Sequence, residues 1–205
     1  MESIEQIGIE IVKFLENQDV LLEHDADGRL ESLKSEVNLT DLLREKFKNR
    51  INILNKGHNR SFGDIDIKLG DSIYPINVKM VDPSRTGTFN GGGPKVFNHV
   101  LYGETTTHWK KLAKKVTSAS LPQEISSDYY YLIYYKNSKK KPVFIGLSDI
   151  DDNSIVTNPS NPIQLKKNVK FKARTQKEKV NFVASLLEDV LRKRAEPYLI
   201  LRGKR

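Results

Sequence analysis

Near the N-terminus, Ile4, Ile7, Ile11, Phe14 and Leu15 recur at helical spacing with Glu and Lys between them. That period predicts a helix over residues 2–23, broken by Asp25-Ala26-Asp27-Gly28. Leu30, Leu33, Val37, Leu42, Leu43 and Phe47 repeat the pattern and predict a second helix over 30–48. Thr40 followed by Asp41 reads as a fresh N-cap, so an interruption is expected at 38–40. The period then shortens to two. Residues 50–54, 64–69 and 73–81 read as strands, and Gly70-Asp71-Ser72 joins the last two in a hairpin. Residues 82–95 (DPSRTGTFNGGGPK) follow neither period and are expected to form a long Gly- and Pro-rich loop. Further along come a short helix over 95–102, a basic helix over 106–117, and strands over 128–136 and 142–147 joined by the turn 137–141. A strand over 163–172 and an amphipathic helix over 175–195 follow, before the tail YLILRGKR. This order predicts an α/β (α+β) fold, a mixed central sheet flanked by helices, as a single domain over 1–205.

The hairpin has two unlike faces. Alternation puts Ile65, Ile67, Ile76 and Val78 toward a core, with Asp64 and Asp66 on the opposite face of the first strand and Asn77 and Lys79 on that of the second. A tight turn brings these polar groups side by side. Carboxylate oxygens suit hard Mg²⁺, and the Val78 main-chain carbonyl offers a further oxygen. Such a metal stabilises charge on a phosphate and acidifies water, while a lysine beside it contacts the phosphate and orients the water. The set therefore suits phosphodiester hydrolysis, although polar alternation alone also describes any half-buried hairpin.

Composition narrows the partners. The chain has 205 residues, 38% hydrophobic and 29% charged, which describes a globular protein rather than a disordered one. No apolar run has the length of a bilayer span, so no membrane partner is expected. Glu2, Glu5 and Glu10 give the N-terminus the wrong sign for a secretory leader, so a cytoplasmic location is expected. The absence of cysteine excludes disulfides, thiolate zinc sites and cysteine nucleophiles. His24, His58, His99 and His108 lack HxxxH spacing, which argues against a transition-metal site. Lys and Arg number 34 against 26 Asp and Glu, a net charge of +8, which favours a polyanionic partner.

An Asp on one strand, a short hairpin and then acid-x-Lys is the pattern that the chain resembles: Asp64, followed 13 positions later by Asn77-Val78-Lys79. It is similar to the PD-(D/E)xK nuclease superfamily and, within it, to the type II restriction endonucleases. The resemblance covers residues 60–82 directly and the element order more loosely. It implies a restriction-endonuclease-like core and Mg²⁺-dependent hydrolysis of double-stranded DNA at a specific sequence, by a homodimer. It also implies Asp64, Asn77 and Lys79 as catalytic positions, with Asp64, Asn77 and Val78 at the metal. The family's helix before the motif often adds a Glu, for which Glu36 is the candidate and Glu45 the second choice. Asn77 stands where the family has Asp or Glu. It reads as an engineered Asp→Asn change, as a site whose acid has moved to Asp66, Glu36 or Glu104, or as the mark of an inactive relative. The alternatives to a restriction enzyme are thus a catalytically inactive or weakened DNA-binding relative, or a repair-type nuclease of the same fold.

For DNA contacts, Arg85, Asn90, Gly91, Gly92 and Lys95 of the glycine loop are candidates, because glycines let a backbone approach phosphate closely. Lys110 and Lys114, with Lys111 and Lys115, form one basic helix face. Lys139–Lys141 and the run from Lys166 to Arg174 add further positive charge. Asn158-Pro159-Ser160-Asn161 reads as a plain turn. The tyrosines at 129–131, 134 and 135 superficially resemble a GIY-YIG signature, but residues 147–158 lack the Arg that this family needs. Core packing accounts for them better.

Overall fold

The computed structural model describes residues 2–18, 28–48, 52–55, 63–84, 87–105, 108–118 and 120–203. The chain forms two compact units, Met1–Thr86 with Tyr130–Gly146, and Gly87–Tyr129 with Leu147–Arg205. The fold is mixed α+β, with a mixed central sheet flanked by helices, as the sequence predicts.

Unit 1 holds the central sheet, with strands β1 (Asn52–Asn55), β2 (Ile65–Leu69), β3 (Ser72–Val81), β5 (Tyr130–Tyr135) and β6 (Val143–Gly146). They lie in the order β1-β2-β3-β5-β6. Among the described residues only β3 and β5 run parallel, Asn77 beside Tyr131 and Lys79 beside Ile133. Helix α1 (Ile4–Leu15) starts at a capping box of Ser3 and Gln6. It ends well before residue 23, where the Asn17 amide takes up the Lys13 carbonyl at 3.1 Å. The expected break at 25–27 lies outside the described residues, and Gly28 begins the next helix.

Helix α2 (Gly28–Phe47) is continuous where an interruption was expected. The Thr40 hydroxyl donates to the Glu36 carbonyl at 2.7 Å, one turn back, and so joins the helix instead of capping a new one. Ile4, Ile7, Ile11 and Leu15 of α1 and Leu39, Leu43 and Phe47 of α2 pack with Ile65, Ile67, Ile76 and Val78 in one buried cluster. The inward face of the hairpin is therefore the one that alternation predicts.

Unit 2 carries a second sheet, absent from the expected scheme. Strand β4 (Thr88–Gly92) pairs antiparallel with β8 (Ile163–Lys166), which pairs with β7 (Ile155–Thr157). The glycine segment is thus partly a strand. Gly91 lies so close to β8 that a Cβ would stand 2.8 Å from Ile163 Cγ2. Its strand character comes from that partner rather than from local propensity. The strand expected over 163–172 stops at Lys166, with one isolated bridge from Phe171 to Ile150.

Helices α3 (Pro94–Tyr102), α4 (Trp109–Ser118) and α5 (Gln176–Gly203) complete unit 2. Helix α5 runs on through Pro197 and takes in most of the tail. Pro197 costs a ladder bond and crowds the carbonyl one turn back, yet the helix continues past it through Leu199 and Arg202, both good helix formers. Asp128 is buried here as a local clamp. It accepts hydrogen bonds from the Tyr129 N–H at 2.8 Å, the Ser148 N–H at 3.2 Å and the Ser148 hydroxyl at 2.5 Å.

Candidate functional site

Asp64 sits just before β2 and is bolted to β3 at two points. Its main-chain N–H donates to the Ile76 carbonyl at 2.9 Å, and its Oδ2 accepts the Val78 N–H at 2.8 Å. Asp64 thereby brackets Asn77, whose amide oxygen is buried. Such closeness requires Gly63. A Cβ there would meet Ile76 N at 2.9 Å and the Ile65 and Ile76 carbonyl oxygens at 3.0 Å, all of them backbone.

Lys79, two residues beyond Asn77, places Nζ 3.9 Å from Asp64 Oδ2. The side chains are 20% and 40% exposed, so the pair remains open to solvent on one side. Glu36 joins it from α2. Burial pushes the Glu36 carboxyl up from 4.5 to about 7, against the pull of the Lys79 ammonium. The Asp64 carboxylate pushes it further up, and Lys136 opposes that. Asp64, Lys79 and Lys136 therefore all act on Glu36, and Lys136 is itself buried at 4% exposed.

The structure brings together Asp64, Asn77, Val78, Lys79 and Glu36. Asp66 is 1% exposed and opposite Pro75, so it lies inside the sheet rather than on an open polar face. It is also absent from the charges that act on Glu36. Glu45 is exposed near the end of α2. Glu104, in unit 2, is paired with Lys115 at 2.6 Å. Lys136 and Gly63 are the residues that sequence reasoning missed. Gly63 stands directly before Asp64 and was readable as a close-approach glycine, whereas Lys136 follows the tyrosine run with no local signal.

Several proposed DNA contacts belong to unit 2. The Asn90 side chain accepts the Gly92 N–H at 2.9 Å and shapes its own strand end. Gly92 has φ +135°, which suits glycine, and Lys95 lies in the first turn of α3. Lys110 and Lys114 are exposed on α4. Arg85 lies outside the described residues. Tyr129, Tyr130, Tyr131 and Tyr135 are buried, Tyr130 stacking on Phe144 at 5.2 Å, so core packing is their role. Asn158 accepts the Ser160 N–H at 2.8 Å, which makes 158–161 the plain turn expected.

The donor set can be tested against Mg²⁺. Among the described residues no three His, Cys, Asp or Glu side chains gather as a metal-holding group. The Asp64 carboxylate does act on Glu36, and a cation bound there would relieve both the burial of Glu36 and the like-charge repulsion. Mg²⁺ commonly takes one or two protein carboxylates and fills its remaining positions with water and substrate phosphate. Glu36 and Asp64 fit that habit, with the Asn77 amide oxygen as a neutral third donor. Among the described residues no helix is long and apolar enough to cross a membrane. Compared with protein-family models and with curated proteins, the sequence matches none.

Proposed function

We propose that the chain is a Mg²⁺-dependent endonuclease of the PD-(D/E)xK superfamily, acting as a type II restriction enzyme on a specific sequence in double-stranded DNA. The observation that carries the reading is the Asp64–Lys79 pair, with Glu36 in its electrostatic reach, on a hairpin whose other face is core. Glu36 and Asp64 would hold Mg²⁺, with the Asn77 amide oxygen and the Val78 carbonyl as neutral donors. When bound, the ion withdraws charge from the scissile phosphate and acidifies water.

The chain's own residues supply the rest. Asp64 is fixed by two β3 contacts, so its free oxygen lobe is preorganised. Lys79 brings an ammonium to the same point, where it draws in the phosphate and holds the attacking water by hydrogen bonding. Lys136 offsets the buried charge of Glu36. A homodimer on a palindromic target gives each strand one such hairpin.

A second reading has one specific observation in its favour. Asn77 is neutral at a ligand position, and loss of ligand charge weakens affinity for a hard cation. On that reading the chain is a weakened DNA-binding relative. Plasmid cleavage in Mg²⁺ by the natural chain, Asn77→Asp and Asp64→Ala separates the two. The endonuclease reading expects discrete bands, a lower Mg²⁺ requirement for Asn77→Asp and no cutting by Asp64→Ala. Binding of DNA with no cutting by either the natural chain or Asn77→Asp establishes the weakened relative instead.

A further inference from the structure

Unit 2 holds a groove of about 510 Å³ between α4, the 158–161 turn and the end of α5. Its walls include Trp109, Leu191, Pro197 and Tyr198, and its rim carries Lys110 and Arg194. The Trp109 ring is held on one side by the Arg194 guanidinium, 4.7 Å from the ring centroid. Arg194 in turn donates to the Pro159 carbonyl, so ring and cation are fixed together. Tyr198 is 70% exposed on a helix end where residues 194–200 are all exposed. On the other flank of α4 a smaller cavity of about 260 Å³ is lined by His108, Lys110, Lys111 and Lys114. Lys110 borders both.

We infer that this groove is a binding site for an unstacked nucleotide of single-stranded nucleic acid, its base against Trp109 and Tyr198 and its phosphates along Lys110 and Lys114. Three features support the assignment. The volume lies within the range of small-ligand sites, which bury an apolar body under a few placed polar groups. Aromatic rings stack on bases only where those bases are not already stacked in a duplex, which favours a single strand. Charge supplies the third. Helix α4 has four lysines and no acid, and among the described residues neither Lys110 nor Lys114 has an ion-pair partner.

That charge also weighs against a second copy of the chain as the occupant. Asp189 pairs with Arg192 and Lys193, but from Leu191 to Gly203 the one acid is Glu196, and among the described residues Arg194 and Arg202 have no carboxylate partner. Two such helix ends repel one another, and a polyanion neutralises both. The inference goes beyond the endonuclease reading and stands without it.

Trp109 is the only tryptophan of the chain, so its fluorescence reads this groove alone. The experiment titrates the full chain with a short single-stranded oligodeoxynucleotide in EDTA, which removes any cleavage. Saturating quenching is expected, unchanged in Asp64→Ala. Tyr198→Ala, at an exposed position that leaves the core intact, should weaken binding about 5- to 150-fold, the range of base–aromatic stacking. Lys110→Ala should flatten the dependence of affinity on salt. Absence of quenching overturns the site, whatever the plasmid assay reports. So does equal affinity in Tyr198→Ala. Sedimentation showing a dimer that Tyr198→Ala dissociates, with no quenching by the oligonucleotide, assigns the groove to a second copy and likewise overturns the proposal.

Discussion

Each unit holds a carboxyl whose pKa is raised by burial, Glu36 half-buried and Asp128 fully so, and the two are managed in opposite ways. Asp128 in unit 2 is surrounded by fixed donors: the Tyr129 N–H, the Ser148 N–H and the Ser148 hydroxyl. Burial still raises its pKa from 3.8 to about 6, against those hydrogen bonds and Lys179. Glu36 in unit 1 instead faces charged ends of side chains, with Lys79 and Lys136 opposing its rise and Asp64 adding to it. Fixed backbone donors make a clamp that holds chain segments together. Long charged side chains around a buried acid make a place where an incoming cation or phosphate finds groups able to rearrange. Burial of an acid alone does not distinguish structure from chemistry; the identity of its neighbours does.

The largest expected difference tests that distinction directly. Asp128→Ala leaves two main-chain N–H groups and a hydroxyl buried without an acceptor. At about 1–3 kcal/mol for each such loss, partly relieved by water, stability should fall by about 3 kcal/mol or more. Glu36→Gln removes a desolvated charge and keeps an acceptor of the same shape, so stability should change by less than about 1 kcal/mol. Urea midpoints of the two variants measure both. Equal losses would mean that Glu36 is a clamp as well, and the functional reading of its surroundings would fail.

Asp128 also predicts a pH dependence. Its folded pKa, about 6, lies above the unfolded value of 3.8, so the folded state binds its proton more tightly. The contribution to stability is then full below pH 3.8 and is lost as pH rises through about 6. At about 1.4 kcal/mol per pKa unit the loss is about 3 kcal/mol. Unfolding of Asp128→Asn should show a flatter profile between about pH 4 and 6 than the natural chain. A difference between the two that is constant across that window would show that Asp128 does not titrate there.

The sequence carried different parts of these two units unequally. In unit 1, Ile65, Ile67, Ile76 and Val78 alternate with Asp64, Asp66, Asn77 and Lys79 so regularly that the core face of the hairpin could be read from the period alone. Asp66 was the exception, because alternation gives a face but not whether other elements cover it. In unit 2, β4 has the sequence TFNGG and no period at all, and it exists as a strand because β8 lies against it. Lys136 was invisible for the same reason: its closeness to Glu36 joins residues 100 positions apart, and no local pattern encodes that.

Gly63 and Gly70, at the two ends of β2, provide a smaller test within unit 1. Gly63→Ala would drive a methyl against three backbone atoms at 2.9–3.0 Å, none of which can swing aside as a side chain can. A loss of about 1–3 kcal/mol is expected, and on the proposed endonuclease reading Mg²⁺-dependent cleavage should fall with it because Asp64 is displaced from β3. Gly70 has φ +59° and open space around it, so Gly70→Ala should cost only about 1 kcal/mol of left-handed strain and leave cleavage unchanged. If both variants lose activity alike, general loosening of the hairpin, not the placing of Asp64, is what matters.

The smallest stability effect is expected at the residue with the largest proposed role in chemistry. Lys79 and Asp64 are 3.9 Å apart and both reach solvent, so water screens the pair strongly. Asp64 keeps its Val78 N–H contact when the ammonium is removed. Lys79→Met retains the aliphatic stem and should shift stability by less than about 1 kcal/mol. On the proposed endonuclease reading cleavage, by contrast, should fall about 10²- to 10³-fold, the usual consequence of deleting one charged donor at a reacting phosphate. A thermal melt and a cleavage time course on the same preparation compare the two directly. A variant that loses stability and activity in parallel would make Lys79 part of the scaffold, and would place this hairpin with the Asp128 clamp rather than opposite it.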